Sequence, residues 1–324
     1  MNFLEAAQNE KLRLRTDVPL ASYTNWKIGG PAKFFVTVKT VEELRKAVEL
    51  ARKFREKIFL LGGGTNILVS DTGFPGLVVK MELNDVRVEG EIVIAQAGAA
   101  MGKAAAIAIQ NNLQGLEWAV GIPGTVGGAI YGNSNCFSGS TADAISSVLL
   151  MTLEGELREQ NKQYLQFGYD YSALSQTGEI VVEARFQLKR GDPKIMEVIK
   201  QKILNATAVR FASQPIGEKT AGSTFKALLP TTRLKDKLES QGLDWKNALR
   251  DNLISAGFII DKCLGLKGYR LENMKISEKH ANFFVNLGGA TAKNAKALID
   301  FVKKECKNKL EEDLEEEIRY VGKF

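Results

Sequence analysis

Three glycine-rich segments are the parts of this chain best suited to hold a phosphorylated ligand. They are Gly29-Gly30-Pro31, Gly62-Gly63-Gly64-Thr65-Asn66 and the segment from Gly121 to Gly128. Glycine adopts positive φ and lets the backbone approach a ligand closely, so successive N–H groups in such turns form concave anion-binding sites. Two of these loops could therefore grip a diphosphate from two sides. The alternative for each loop is a tight turn between strands.

The two commonest phosphate-binding patterns are absent from the sequence. Neither GxxxxGK[ST] nor GxGxxG occurs, so a phosphate site here has to be of another type. Cys136, Cys263 and Cys306 are scattered and form no CxxC pair, and His280 is the single histidine. This composition predicts no metal site and no disulfide framework.

The charge and hydropathy of the chain limit which kinds of partner it can have. The formal net charge is +6, but lysine and arginine alternate with acids along the 324 residues, and no aromatic-basic stripe occurs. We therefore expect no nucleic-acid partner. No stretch approaches the roughly 20 apolar residues of a membrane span, and the first residues lack the apolar block of a signal peptide. The sequence predicts a cytoplasmic protein without a membrane partner.

Secondary-structure signals place the glycine loops after strands. Thr40 and Glu43 have the spacing of a capping box at the start of a helix, and a strand at 58–61 leads directly into Gly62. Asp192 and Pro193 predict the start of a second capped helix that ends near Ala208. Further strands are predicted at 34–38, 92–95, 148–153, 180–188, 275–276, 283–286 and 318–321, and further helices at 101–112 and 292–307. The expected fold class is α+β, in about three modules.

Seven segments, in order along nearly the whole chain, resemble the UDP-N-acetylenolpyruvoylglucosamine reductase (MurB) family. They are residues 25–32 (NWKIGGPA), 62–74 (GGGTNILVSDTGF), 121–128 (GIPGTVGG), 221–226 (AGSTFK), 265–268 (GLKG), 276–283 (ISEKHANF) and 314–322 (LEEEIRYVG). The short chain between Arg210 and Ser223 resembles the smaller type of the family, which lacks an inserted tyrosine loop.

The resemblance implies a two-part FAD-binding domain of the vanillyl-alcohol-oxidase (PCMH) type, followed by a smaller α+β substrate-binding domain. The expected boundaries are 1–80 and 81–208 for the two FAD-binding subdomains and 209–310 for the substrate domain. The tail, 311–324, is expected to return near the active site. The implied activity is reduction of UDP-N-acetylglucosamine enolpyruvate to UDP-N-acetylmuramate, a peptidoglycan precursor, with FAD and NADPH as cofactors. A monomer is expected.

The resemblance also assigns roles to individual residues. Ser223, Glu317 and Arg210 match the family's catalytic positions, with Ser223 as proton donor, and Lys226 and Tyr169 are expected to bind the UDP-sugar. The FAD diphosphate is expected to lie against Gly62, Gly63, Gly64, Thr65, Asn66, Gly121, Pro123, Gly124, Thr125, Gly127 and Gly128.

Each catalytic assignment has a structural alternative. Ser223 could be a turn serine after Gly222, and Arg210 an exposed arginine that completes a helix. Glu317 ends a run of six acids from Glu311, and such a run is usually a solvated face. Lys226 could be a surface lysine. His280 is given no catalytic role, because a structural histidine explains it equally well.

Asp170 is the main departure from the family pattern. It stands where the family carries an arginine, and a like charge near Glu317 and an anionic substrate would be costly unless a cation such as Arg185 or Lys226 compensates. Ala227 also replaces a residue that is usually asparagine or arginine. Two alternatives follow: a catalytically impaired flavin- and UDP-sugar-binding relative, and an FAD-linked oxidase of the same fold.

Overall fold

The computed structural model describes residues 1–136 and 139–324, which form two compact units. The first unit comprises residues 1–18, 32–63 and 75–208, and the second comprises 19–31, 64–74 and 209–324. The second unit thus takes up two short segments from the N-terminal part of the chain. The three-module division with boundaries at 80, 208 and 310 stays a prediction.

The first unit contains two sheets. The larger sheet is antiparallel throughout, and its strands lie in the order Leu157–Asn161, Ile145–Met151, Ile180–Gln187, Ile92–Gln96 and Val86–Glu89. The other has the order Arg15–Pro19, Pro31–Val38, Phe74–Met81 and Ile58–Leu61, and its last two strands run parallel. Short two-stranded pairings join Leu113–Gln114 to Lys189–Arg190 and Asn135–Cys136 to Gly139–Ser140.

Helices of this unit contribute buried residues to one apolar core. They span Phe3–Asn9, Val41–Lys53, Met101–Gln110, Val126–Tyr131, Thr141–Ala144 and Leu174–Thr177, and a long helix, Pro193–Ser213, follows them in the chain. The capping box predicted at Thr40 is confirmed, since Thr40 accepts from the Glu43 N–H and the Glu43 carboxylate accepts from the Thr40 N–H. Behind this cap, Leu44, Val48 and Ala51 lie on one helix face and are buried.

The second unit is built on a four-stranded antiparallel sheet. Its strands lie in the order Thr220–Ser223, Phe283–Asn286, Met274–Ile276 and Arg270–Leu271. Leu249–Arg250 and Leu253–Ile254 form a hairpin, and Arg319–Val321 runs parallel to Ile67–Val69. The helices span Thr232–Ser240, Ala256–Phe258 and Ala292–Leu310, and a short π-helix spans Ile259–Cys263.

The two N-terminal segments of the second unit are anchored by buried polar contacts. The Trp26 indole N–H donates to the Phe284 carbonyl (2.9 Å), and the Asn286 side chain donates back to the Trp26 carbonyl (2.8 Å). The Asp71 carboxylate accepts from the Ala292 and Lys293 N–H groups at the start of the helix Ala292–Leu310. These contacts satisfy N–H groups that a helix start leaves without intrahelical partners.

The predicted strands and helices are confirmed, with shifts at their ends. The helix from Pro193 runs to Ser213 rather than Ala208, because residues 209–213 contain no breaker before Pro215. The last helix runs to Leu310 rather than Lys307, because Leu310 is itself buried. Among the helices described for residues 1–136 and 139–324, none combines the length and the apolar character needed to cross a membrane.

Candidate active site

The glycine loop after Ile58–Leu61 and the loop before Val126–Tyr131 meet in the first unit. A Cβ atom built on Gly62 would lie 2.5 Å from Oγ1 of Thr125, a distance at which the hydroxyl would have to move. Thr125 is buried and caps the helix Val126–Tyr131, since its Oγ1 accepts from the Gly128 N–H (3.3 Å). Glycine at position 62 is therefore required by close approach of the second loop.

The exposed backbone of these loops fits the anionic group that the sequence leads us to expect. Gly124 has φ +120°, a conformation that favours glycine. The N–H groups of Gly63 and Gly124 donate to no carbonyl oxygen in the part of the chain that the structure describes. Because partly exposed N–H donors without protein acceptors suit a phosphate oxygen, the loops fit the diphosphate of FAD. The individual cofactor contacts remain predictions.

Lys80 contacts the first glycine loop, and this contact was not predicted from the sequence. It lies opposite Leu61 in the parallel strand pair, and its Nζ donates to the Gly62 carbonyl. Burial lowers the pKa of Lys80, and the charge of Glu82 opposes this shift. The available signal was a lysine inside the otherwise apolar strand Phe74–Met81.

The turn that carries Tyr169 and Asp170 is fixed to the end of the helix Val126–Tyr131. The Asn133 side chain donates to the Gly168 carbonyl (2.9 Å), and the Ser172 hydroxyl donates to the Tyr131 carbonyl (2.8 Å). Asp170 has φ +49°, a left-handed conformation that aspartate tolerates better than most residues. The backbone of the turn thus accommodates an aspartate at this position.

The two cations considered as compensation for Asp170 are each paired with other acids. Arg185 lies 3.6 Å from Glu159 and 3.9 Å from Glu183, and Lys226 lies 2.5 Å from Glu315.

In the second unit, the segment after Ser223 is paired with the segment that contains Glu317. The Glu317 N–H donates to the Thr224 carbonyl (2.9 Å), and the Lys226 N–H donates to the Glu315 carbonyl (2.9 Å). The Asn66 side chain donates to the Glu317 carbonyl (3.2 Å). The fold therefore holds Glu317 opposite Thr224, one residue beyond Ser223, and brings the end of the first glycine loop to the same backbone.

Asn282 fixes this segment from the other side. It is 5% exposed, its Nδ2 donates to the Phe225 carbonyl (2.8 Å), and its Oδ1 accepts from the Phe225 N–H (3.0 Å). Its own carbonyl accepts from the Thr224 N–H (2.8 Å). Asn282 lies in the segment 276–283 that resembles the family, but no role for it was predicted from the sequence. A buried amide that pairs fully with the backbone makes Ser223 part of a rigid strand.

The acidic run before Glu317 is docked on three elements of the second unit. Its ion pairs are Glu311–Lys237 (2.6 Å), Glu312–Arg233 (3.1 Å), Asp313–Lys307 (2.7 Å), Glu315–Lys226 (2.5 Å) and Glu316–Lys303 (2.8 Å). Each acid faces a separate cation, but Glu311, Asp313 and Glu315 are more than half exposed, so much of the run is both ion-paired and solvated. Glu317 itself is half-buried.

Arg210 lies in the last turn of the helix Pro193–Ser213. Its Nε donates to the Gln214 side chain (3.4 Å), and the Lys279 ammonium donates to the carbonyl of the adjacent Phe211 (3.4 Å). A basic side chain in the last turn is also favourable for the helix dipole. The position suits both the catalytic role and its structural alternative, so the role of Arg210 stays a prediction.

His280 lines a cavity of about 390 Å³ together with Asp244, Asn247, Ser255 and Phe258. Its Nδ1 accepts from the Asn282 N–H (3.3 Å). Burial, followed by the charge of Lys267, lowers the pKa of His280 below the ordinary value of 6.5. His280 therefore supports the Asn282 backbone as a neutral acceptor.

This pKa shift predicts an acid-sensitive contribution to stability. The unfolded chain binds the His280 proton more readily than the folded chain, so protonation favours unfolding. The contribution is present above the ordinary histidine pKa and is lost as the pH falls towards the lower folded value. When the pH is lowered from about 7.5 to about 5.5, we expect the melting temperature of His280→Asn to fall less than that of the wild type. Equal losses in melting temperature would contradict this assignment.

Comparisons with known proteins cover both units. Residues 32–161 match the FAD binding domain family, and residues 214–321 match the family "UDP-N-acetylenolpyruvoylglucosamine reductase, C-terminal domain". A UDP-N-acetylenolpyruvoylglucosamine reductase of Clostridium botulinum (strain Hall) is 34% identical over 323 residues, which are 99% of this chain and 96% of that protein. One from Latilactobacillus sakei (strain 23K) is 34% identical over 99% of this chain and 97% of its own length.

A solved structure is similar over almost the same range. The crystal structure of UDP-N-acetylenolpyruvylglucosamine reductase (MurB) from Thermus caldophilus has a TM-score of 0.76 and 33% sequence identity, covering 96% of this chain and 99% of that one. The predicted fold class, an FAD-binding domain followed by a smaller C-terminal domain, is confirmed by these matches.

Proposed function

Because this chain belongs to the UDP-N-acetylenolpyruvoylglucosamine reductase (MurB) family, we propose that it catalyses the reductase reaction itself. Its substrate is UDP-N-acetylglucosamine enolpyruvate, its product is UDP-N-acetylmuramate, and it uses FAD and NADPH. Within the chain, the proposal is supported above all by the pairing of the Ser223–Lys226 segment with Glu315–Glu317. That pairing joins the candidate acids to a candidate phosphate ligand.

The loops around Gly63 and Gly124 form part of the cofactor-binding surface in this proposal. The bound FAD would supply the hydride chemistry of the reaction, with NADPH as its reductant. The N–H groups of Gly63 and Gly124 bind diphosphate oxygens, and Thr125 keeps the second loop in place by capping its helix. Lys80 holds the Gly62 carbonyl and so fixes the first loop.

The residues of the second unit handle the proton. Addition of hydride to the vinyl carbon leaves negative charge on the enolate of the substrate, and the neighbouring carbon must then receive a proton. Ser223 donates this proton, and Glu317 assists it. The Asn282 clamp and the Asn66–Glu317 hydrogen bond hold both backbones rigid, which limits the reorganisation needed during the reaction.

Substrate binding is assigned to cationic and aromatic side chains. Lys226 binds the diphosphate of the UDP-sugar, Arg210 binds a second anionic group of the substrate, and Tyr169, which is half-exposed, contributes an aromatic surface.

The second candidate is a relative that binds flavin and UDP-sugar but has lost turnover. Asp170 favours it, because an aspartate stands where the family carries an arginine. In this case the flavin is still reduced by NADPH, but the enolpyruvyl UDP-sugar does not reoxidise it.

Stopped-flow absorbance of the purified protein separates these candidates. We expect flavin bands in the visible spectrum, bleaching on addition of NADPH, and recovery on addition of the enolpyruvyl UDP-sugar under anaerobic conditions. Bleaching without recovery would support the impaired relative. A preparation that is colourless and takes up no added FAD would refute both.

The setting of the enzyme follows from the same proposal. Its nucleotide substrate and NADPH are cytoplasmic metabolites, so we place the protein in the cytoplasm. We propose that it acts as a monomer. Sedimentation of the FAD-loaded protein measures its oligomeric state.

A further inference from the structure

Lys226 is doubly joined to Glu315. The Lys226 N–H donates to the Glu315 carbonyl, and the Lys226 Nζ lies 2.5 Å from the Glu315 carboxylate. The two residues are cross-strand neighbours beside the Phe225–Glu316 bridge, so their side chains project from the same face. The cation assigned to the substrate diphosphate therefore has an internal anion as its partner.

The two partners differ in exposure. The Lys226 side chain is 20% exposed, whereas that of Glu315 is 73% exposed. Glu315 can turn into solvent at little cost, because an exposed ion pair contributes little stability and a freed carboxylate is well hydrated. Lys226, being recessed, keeps its position. A diphosphate carries more negative charge than a carboxylate and offers several acceptor oxygens, so it is the stronger partner for the ammonium group.

The neighbouring acids do not share this arrangement. Among the five ion pairs that the structure describes between residues 311 and 316, only Glu315–Lys226 uses a cation from the segment that begins at Ser223. Glu311, for comparison, pairs at 2.6 Å with Lys237 on the helix Thr232–Ser240 and is 58% exposed. Glu311 and Glu315 thus carry equal charge on the same tail but face different elements.

We propose that Glu315 occupies the phosphate-binding position of Lys226 when no substrate is bound and that it is displaced by the diphosphate of the UDP-sugar. Glu315 is then a residue that sets the affinity for the substrate by competing for its cation. This inference rests on the proposed function, in which Lys226 binds the diphosphate. It predicts that removing the competing charge tightens binding.

Steady-state kinetics and calorimetry with UDP test the inference. Glu315→Gln should lower the KM for the enolpyruvyl UDP-sugar and the dissociation constant of UDP by about two- to fivefold, with a much smaller change in kcat. The gain in affinity should shrink as the salt concentration rises, since screening already weakens the Glu315–Lys226 ion pair. Glu311→Gln, which removes the same charge, should leave both constants unchanged.

Adding Glu315→Gln to the Lys226→Met variant tests whether Lys226 is the cation for which Glu315 competes. Lys226→Met alone should raise the KM and the dissociation constant of UDP, and Glu315→Gln should then produce no further gain. Equal effects of Glu315→Gln and Glu311→Gln, or a gain that persists without Lys226, would overturn the inference. UDP binding is measured without turnover, so it tests the inference independently of catalysis. The proposed function is refuted by a different result, namely that the enolpyruvyl UDP-sugar fails to reoxidise the reduced flavin of the wild-type protein.

Discussion

Replacing Ser223 by alanine is expected to slow substrate-dependent flavin reoxidation by about 10²- to 10⁴-fold, the range that a positioned general acid contributes. Reduction of the flavin by NADPH should be unchanged, because that half-reaction needs no proton for the substrate carbon. Stopped-flow absorbance measures the two half-reactions separately. The Ser223 backbone pairs with Phe283 and is followed by the Asn282 clamp, so the variant should retain the strand.

The neighbouring Thr224 is a matched control for Ser223. Its side chain is buried, and its hydroxyl has no hydrogen-bond partner within the described residues. Thr224→Val therefore removes a hydroxyl one residue away without breaking a contact. We expect its reoxidation rate to match that of the wild type. If Thr224→Val and Ser223→Ala were slowed equally, the effect would come from the strand and not from proton donation.

The second large effect is expected at the contact between the two glycine loops. Gly62→Ala places a methyl group 2.5 Å from Oγ1 of Thr125, and Thr125 must leave the position from which it caps its helix. Because the second loop then loses the Thr125 cap that holds it, FAD affinity should fall at least about tenfold, which corresponds to ~1.4 kcal/mol. Reconstitution of the apoprotein with FAD, followed by flavin fluorescence or visible absorbance, measures the change.

Gly90 provides the control for the effect of a methyl group on a glycine turn in the same unit. A Cβ at Gly90 meets no atom within 4 Å, although its φ of +64° makes any substitution there somewhat strained. Gly90→Ala should therefore lower stability slightly and leave FAD affinity unchanged. An unchanged FAD affinity in Gly62→Ala would show that the contact between the loops does not form part of the cofactor site.

The sequence alone determined the local features of this protein and its family. The capped helices at Thr40 and Asp192, the strand that leads into Gly62, and the glycine loops depend on residues only a few positions apart. Such signals are encoded locally, in caps, periodicity and turn residues. The seven motifs then identified the family, because they occur in this chain in the same order as in the family.

Only the tertiary structure decided which segments meet. Lys226 and Glu315 are 89 residues apart, and Trp26 and Phe284 are 258 apart. Their pairing depends on the register of strands that the apolar core selects, and the residues next to each partner carry no local signal of it. Burial and contact partners are properties of the folded chain. For this reason the sequence predicted neither the contacts of Lys80 and Asn282 nor the ion pairs of the acidic tail.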